Sequence, residues 1–157
     1  MPYPMSEPSD TIGEDLAAAQ LTIETTRGVG RYLVNLGYAV LTEFTLANNR
    51  RADVIGIADD GRFVIVEVKV SVADLRGDTK WPEYEDFCDR LYFAVPPGFP
   101  NELVPARTGL IIADSWGAEA IREAPDTGLH ASRRKALTLR FARAAAQRHQ
   151  RLSDPRI

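Results

Sequence analysis

The sequence predicts an α/β fold in which a mixed central sheet is flanked by helices. A long helical segment is followed by three apolar segments of strand length that are joined by tight turns. A capped helix then separates the third strand from a fourth, and this type of connection produces a parallel, right-handed crossover. The resulting order, α-β-β-β-α-β with further strands and a final helix, places helices on the faces of the sheet.

Length and composition indicate one ordinary domain. The chain has 157 residues, of which 45% are hydrophobic and 26% are charged, and its formal net charge is -3. We expect residues 1–10, with three prolines, to form a flexible tail and residues 11–157 to form a single domain. No apolar run approaches the roughly 20 residues of a membrane span, and no secretory signal is evident. These features predict a cytoplasmic protein that has no membrane partner.

The first element is a predicted helix. Thr11 and Glu14 have the spacing of a capping box, which indicates that the helix starts near residue 11. Gly37 predicts its end. Gly28 and Gly30 weaken its middle, so we expect a bend or a restart there.

The later elements follow from turn residues and from the pattern of apolar positions. Strands are predicted between Asn-, Asp-, Gly- and Pro-rich turns at residues 38–46, 51–58, 62–70, 91–95, 108–113 and 118–124. Ser71 with Asp74 predicts a capped helix after the third strand. An alanine-rich helix over residues 132–151 completes the chain. Seven Lys or Arg residues and no acid lie in residues 130–151, which indicates either a surface for phosphates or a solvated helix face.

The third strand carries charged residues in an apolar setting. Because side chains alternate along a strand, Glu67 and Lys69 share one face with Phe63 and Ile65. Removing such charges from water is costly unless they are paired or bind a metal ion.

The two tight turns predict which side chains oppose Glu67. If residues 59–61 form a three-residue loop, Asp53 faces Glu67, and if residues 47–49 do the same, Glu43 faces Asp53. Opposed side chains have Cβ atoms ~5 Å apart, so a row of three carboxylates would repel and favour a bound cation. Oxygen-only ligands suit Mg²⁺ or Mn²⁺.

One spacing of acids resembles a known signature: Asp53 is followed, after thirteen residues, by Glu67-Val68-Lys69. This spacing is similar to the D…ExK signature of the restriction-endonuclease-like, or PD-(D/E)XK, nuclease superfamily. That superfamily has an α-β-β-β-α-β core, the order predicted above. Its name-giving Pro is replaced here by Ala52. Longer segments are similar to the MmcB-type bacterial DNA repair proteins, namely residues 50–54, 66–69, 74–84 and 88–96.

The resemblance implies a metal-dependent DNA phosphodiester hydrolase, or nuclease, that acts in DNA repair. It implies that Asp53 and Glu67 bind Mg²⁺ or Mn²⁺, and that Lys69 orients the attacking water and stabilises charge on the phosphate. Many relatives add an acid from the first helix, for which Glu24 is the nearest candidate, with Glu43 as the alternative third acid.

Four further residues are candidates for contact with nucleic acid. Arg50 and Arg51 are placed to hold a phosphate, although Arg51 could instead neutralise a neighbouring acid. Lys80 and Trp81 could contact a phosphate and stack on a base, whereas the alternative is that Trp81 packs over the edge of the sheet.

The sequence leaves two alternatives to a nuclease site open. The first is a catalytically silent protein of the same fold that binds DNA or a repair partner. The second is a purely structural ion pair between Glu67 and Lys69. The form of the nucleic acid and the presence of a homodimer are not determined by the sequence.

Overall fold

The computed structural model describes the backbone of residues 8–156 and the side chains of residues 11–156. Residues 1–7 of the predicted tail lie outside the described residues, whereas residues 8–10 already belong to the first helix.

A six-stranded mixed sheet forms the centre of the structure, which confirms the predicted α/β class. The strands are ordered β1-β2-β3-β4-β5-β6. The β1–β2, β2–β3 and β5–β6 pairs are antiparallel, and the β3–β4 and β4–β5 pairs are parallel. The elements are α1 (Pro8–Asn35), β1 (Ala39–Thr45), β2 (Arg51–Ile57), β3 (Phe63–Val68), α2 (Val72–Gly77), β4 (Arg90–Val95), β5 (Gly109–Ala113), β6 (Ala118–Arg122) and α3 (Ala131–Ser153), with 3₁₀ turns at Trp81–Phe87 and Asn101–Leu103.

The two long helices cover opposite faces of the sheet. Val29 and Leu33 of α1 pack in a buried cluster with the even-numbered β3 residues Val64 and Val66. The opposite cluster contains Leu137 and Phe141 of α3 together with Phe44, Phe63 and Ile65. Because strand side chains alternate, Glu67 belongs to the face of the sheet that α3 covers.

Two tight loops fix the register of the first three strands. The Ala58 amide donates to the Arg62 carbonyl at 2.9 Å, and the Leu46 amide donates to the Arg50 carbonyl at 2.8 Å. Each pair encloses three residues, and Asn49 and Gly61 adopt the positive φ values of 66° and 87° that close such loops. The predicted three-residue turns are therefore confirmed.

Helix α1 is continuous from Pro8 to Asn35, so the predicted restart near Gly28 and Gly30 is wrong, as is the predicted start at Thr11. Gly28 has a packing role instead: a Cβ added there would lie 1.9 Å from the Asp114 carbonyl oxygen. The glycine thus lets the helix approach the β5–β6 turn closely. Gly37, at φ 94°, ends the helix as predicted, with the Tyr38 amide donating to the Leu33 carbonyl in a Schellman motif.

A buried ion pair anchors α3 to the sheet. The two terminal guanidinium nitrogens of Arg134, Nη2 and Nη1, donate to the Asp89 carboxylate at 2.7 and 2.8 Å. The same carboxylate accepts from the amides of Phe63 and Leu129. Burial alone would raise the pKa of Asp89, but these donors outweigh it and lower the pKa to about 2.

Candidate active site

The central feature is a pair of carboxylates on two neighbouring strands. The β2–β3 register pairs Val54 with Val66, and one residue further along Asp53 lies opposite Glu67. The Asp53 amide donates to Glu67 Oε1 at 3.2 Å, and the Val68 amide donates to Asp53 Oδ2 at 2.8 Å. The structure thus brings together the two acids that the turns predicted to be opposed.

Burial changes the protonation of this pair. It raises the pKa of Glu67 to about 9, with the adjacent Asp53 carboxylate as a further cause. Burial also raises the pKa of Asp53, against the lowering effect of the Val68 amide. Two negative charges at this position are therefore unfavourable, because both acids lose hydration and each repels the other. A bound cation would relieve this repulsion.

Lys69 lies immediately after β3 and is held in place by an acid. Its Nζ is 2.8 Å from Asp78 Oδ2, and the side chains of both residues are 14% exposed. The Lys69 amide continues the sheet by donating to the Ala94 carbonyl at 2.9 Å. Since the ionic partner of Lys69 is Asp78, the proposed structural ion pair between Glu67 and Lys69 is wrong.

Asp78 is the residue at this site that the sequence reasoning missed. It follows α2, and its Oδ1 accepts hydrogen bonds from the amides of Lys80 and Trp81, both at 3.0 Å. Burial acts to raise the pKa of Asp78, but the bonds from Lys69 and from these amides lower it overall. An Asp that leads into a turn is a recognisable Asx pattern, and a lysine on a buried strand requires a carboxylate partner. These signals make Asp78 one candidate partner, and the fold of the chain after α2 brings it to Lys69.

Glu43 does not join the acid pair, although its backbone lies across from Asp53 between the Thr42–Val54 and Phe44–Ala52 pairs. Its φ of 48° interrupts the alternation of β1, because Leu41 and Phe44 both pack in the cluster beneath α3. The Glu43 side chain is exposed. The predicted row of three carboxylates is therefore reduced to a pair.

Glu24 is also separated from the pair. It lies on α1, which covers the opposite face of the sheet, and it accepts a hydrogen bond from Gln20 at 3.2 Å. Among the residues with described side chains, no group of three or more His, Cys, Asp or Glu residues is placed to hold a metal ion. A metal at this site would thus depend on Asp53 and Glu67.

Of the two arginines predicted to hold a phosphate, Arg50 forms an ion pair. Its Nε lies 2.5 Å from Glu83 Oε2. Arg51 is exposed, and its charge opposes the rise that burial causes in the pKa of Asp53, which is the neutralising effect considered from the sequence. The Arg51 carbonyl accepts the Tyr84 hydroxyl at 2.9 Å, so Tyr84 lies beside the acid pair.

Lys80 and Trp81 differ in their surroundings. Lys80 is exposed. The Trp81 ring packs edge-on against Phe93 of β4, with centroids 5.7 Å apart, and the Arg107 guanidinium covers it at 4.6 Å. Trp81 thus has the packing role that was the alternative to base stacking.

The basic residues of α3 line a groove beside the edge strand β1. This groove, which we call the arginine groove, has a volume of about 990 Å³, and Glu43 is its one acidic lining residue among those described. Its arginines are Arg133, Arg140, Arg143, Arg148 and Arg151. None of the five forms a salt bridge within residues 11–156, whereas Arg148 donates to the carbonyls of Thr42 and Glu43. The groove therefore gathers five arginines against a single lining acid among the described residues.

These features define a mixed α/β protein with a partly buried acid pair on two neighbouring strands of its sheet and a lysine directly after the second of them. The chain matches the family described as "DNA repair protein MmcB-like" over residues 10–156, and it belongs to that family. It is similar to a solved structure, the SPO1766 protein of unknown function from Silicibacter pomeroyi. The two are 43% identical with a TM-score of 0.82, and the match covers 85% of this chain and 92% of that chain. No curated protein matches the sequence.

No helix in the described part of the chain is long and apolar enough to cross a membrane.

Proposed function

We propose that this protein is a metal-dependent hydrolase of DNA phosphodiester bonds that acts in DNA repair. The observation that carries the proposal is the partly buried contact between Asp53 and Glu67, in which the Asp53 amide donates to Glu67 and the pKa of each carboxyl is raised. Holding two carboxylates together away from water is unfavourable, and it is typical of sites where a cation or a proton transfer is needed.

The pair fits Mg²⁺ or Mn²⁺. Both side chains offer only oxygen donors, and Mg²⁺ commonly binds through one or two carboxylates while retaining several waters. A third acid is therefore not required for binding. When bound, the ion would act as a Lewis acid and lower the pKa of a coordinated water.

Lys69 supplies a fixed positive charge in this proposal. It shares the sheet face of Glu67, two residues away, and Asp78 restricts its ammonium group to one position. A preorganised cation stabilises the negative charge that develops on a phosphate during attack. Asp78 acts through Lys69 and is a positioning residue.

The arginine groove provides a path for the DNA backbone. The groove lies on α3, which covers the sheet face that carries Glu67. Arginines without a carboxylate partner bind phosphates with little competition from the protein's own acids.

A cleavage assay tests the proposal. Labelled single-stranded, duplex and branched DNAs are incubated with Mg²⁺ or Mn²⁺ and with the wild-type protein, Glu67→Gln or Lys69→Ala. The matched control is Glu24→Gln, which removes an acid on the opposite face of the sheet. We expect cleavage by the wild type and the control, and none by the other two variants. Cleavage that survives Glu67→Gln would contradict the assigned site.

A second candidate is a DNA-binding repair protein that does not cleave. It is favoured by the pairing of Lys69 with Asp78 and by the lack of a three-acid cluster among the described side chains. Binding of DNA with unchanged affinity by Glu67→Gln, together with no cleavage of any substrate by the wild type, would support this alternative.

A further inference from the structure

Helix α1 carries an apolar stripe on its solvent side. Ile12, Leu16, Ile23 and Val34 are large hydrophobic residues that are 58–67% exposed. Together with the small residues Ala19 and Gly30 they follow one another at intervals of four, three, four, seven and four residues, which keeps all six on one side of an α-helix. We call these six residues the α1 stripe. An apolar side of a helix is the surface that packs against a neighbouring element.

The α1 stripe is distinct from the side of the helix that packs on the sheet. The sheet-facing side is formed by Val29 and Leu33, which are fully or almost fully buried. Every residue from 11 to 20 is exposed, so this half of the helix extends beyond the sheet. A long helix normally buries its apolar side, and here that burial requires another molecule.

The charges of α1 favour a second copy of the same helix in the opposite direction. Residues 11–26 contain Glu14, Asp15 and Glu24 and no Lys or Arg, whereas Arg27 and Arg31 follow. An antiparallel arrangement brings the acidic part of each helix towards the arginines of the other. A parallel arrangement would place like charges side by side.

A surface depression matches this arrangement. It has a volume of about 510 Å³ at the C-terminal end of the stripe. Its lining combines Gly30, Val34 and the exposed Trp116 with the polar side chains of Arg27, Arg31 and Asn35. If two helices cross at Ile23, Ile12 of one copy lies opposite Val34 of the other, and Leu16 lies opposite Gly30. The surface at Gly30 is open, since a Cβ added there would have no atom within 4 Å, and a leucine of the other copy can lie over it.

We propose that two copies of this chain associate through the α1 stripe, with their helices antiparallel and crossing at Ile23. Such a contact is isologous, because each copy offers the same surface to the other. It is independent of the proposed nuclease function.

Sedimentation equilibrium tests the association. We expect the wild type to have twice the chain mass of 17.4 kDa. Ile23→Glu should reduce the measured mass to that of a monomer, because it places two acids together at the crossing point. The matched control is Leu152→Glu, at an 81% exposed position on α3, which should stay dimeric. Circular dichroism checks that both variants are folded.

Cross-linking with a short bis-maleimide tests the geometry. The native Cys88 is only 1% exposed and does not compete. Ile23→Cys should cross-link to itself. Ile12→Cys should cross-link to Val34→Cys but not to itself, because an antiparallel pair separates its two copies by ~30 Å at 1.5 Å per residue. A monomeric wild type would overturn the proposal and would indicate that a different protein binds the α1 stripe. Cross-linking of Ile12→Cys to itself would overturn the antiparallel geometry.

Discussion

The ammonium group of Lys69 lies 2.8 Å from the carboxylate of Asp78, and both side chains are largely buried. This contact joins the residue after β3 to the residue that ends α2. The ion pair therefore couples the position of the lysine to the path of the chain after α2.

Replacing Asp78 with Ala should release Lys69. We expect a loss of cleavage close to that of Lys69→Ala, and destabilisation by about 1–3 kcal/mol because a partly buried lysine and two amides lose their acceptor. Urea unfolding measures the stability, and single-turnover cleavage measures the activity. Asp74→Asn, an exposed change on α2, is the control. Full activity of Asp78→Ala would show that Lys69 needs no positioning.

Binding of Mn²⁺ should stabilise the protein through the acid pair. A ligand present at a hundredfold excess over its dissociation constant adds about 2.7 kcal/mol to the free energy of unfolding. We expect Mn²⁺ to raise the Tm of the wild type and of Glu24→Gln, and to leave that of Glu67→Gln unchanged. Differential scanning calorimetry with and without EDTA measures this shift. An equal rise in Glu67→Gln would place the metal elsewhere.

The Asp89–Arg134 pair should make stability depend on acid pH. The pKa of Asp89 is lowered to about 2 in the folded protein, against ~3.9 in an unfolded chain. Its contribution, about 2–3 kcal/mol, is therefore fully present above pH ~4 and is lost as the pH falls towards 2. Asp89→Asn should remove this dependence and lower stability at neutral pH. Urea unfolding at several pH values measures both effects.

Asp59→Asn is the matched control for that experiment, because Asp59 is an exposed acid in the β2–β3 turn. Its stability should follow the wild-type pH profile. An Asp89→Asn profile parallel to that of the wild type would mean that the ion pair does not contribute through its charge.

The pairing of β1, β2 and β3 could be predicted because local turn chemistry determines it. Asn49 and Gly61 close three-residue loops, and the register then places Asp53 across from Glu67. Alternation failed at Glu43, since a positive φ in a non-glycine residue is not evident from residue type.

Contacts between segments that are far apart in the sequence were harder to predict. Gly28 weakens an isolated helix. In the folded chain, however, its lack of a side chain allows the β5–β6 turn to pack closely against α1, and that turn lies far along the sequence. The Asp78 contact with Lys69 likewise depends on how α2 returns to the sheet. Residue spacing predicts neighbours on one strand or helix, whereas such packing depends on the complete fold.

DNA binding should depend on the arginine groove. Replacing Arg143 and Arg151 together with Gln should weaken binding of all DNA sequences alike, because these side chains would contact phosphates rather than bases. Each lost phosphate contact should reduce the slope of log affinity against log salt by about 1. Fluorescence anisotropy with Glu67→Gln as the background, without divalent metal, measures binding separately from cleavage.

The control is Arg62→Gln, since Arg62 is already paired with Asp60 and Asp126 and offers little charge to a phosphate. It should keep the affinity and the salt slope of its background. If the double variant also kept both, the arginine groove would not contact DNA, and the phosphate path would have to lie along other basic residues. Because no cleavage is measured in this assay, that result would leave the assignment of Asp53 and Glu67 to be judged by the metal and cleavage experiments alone.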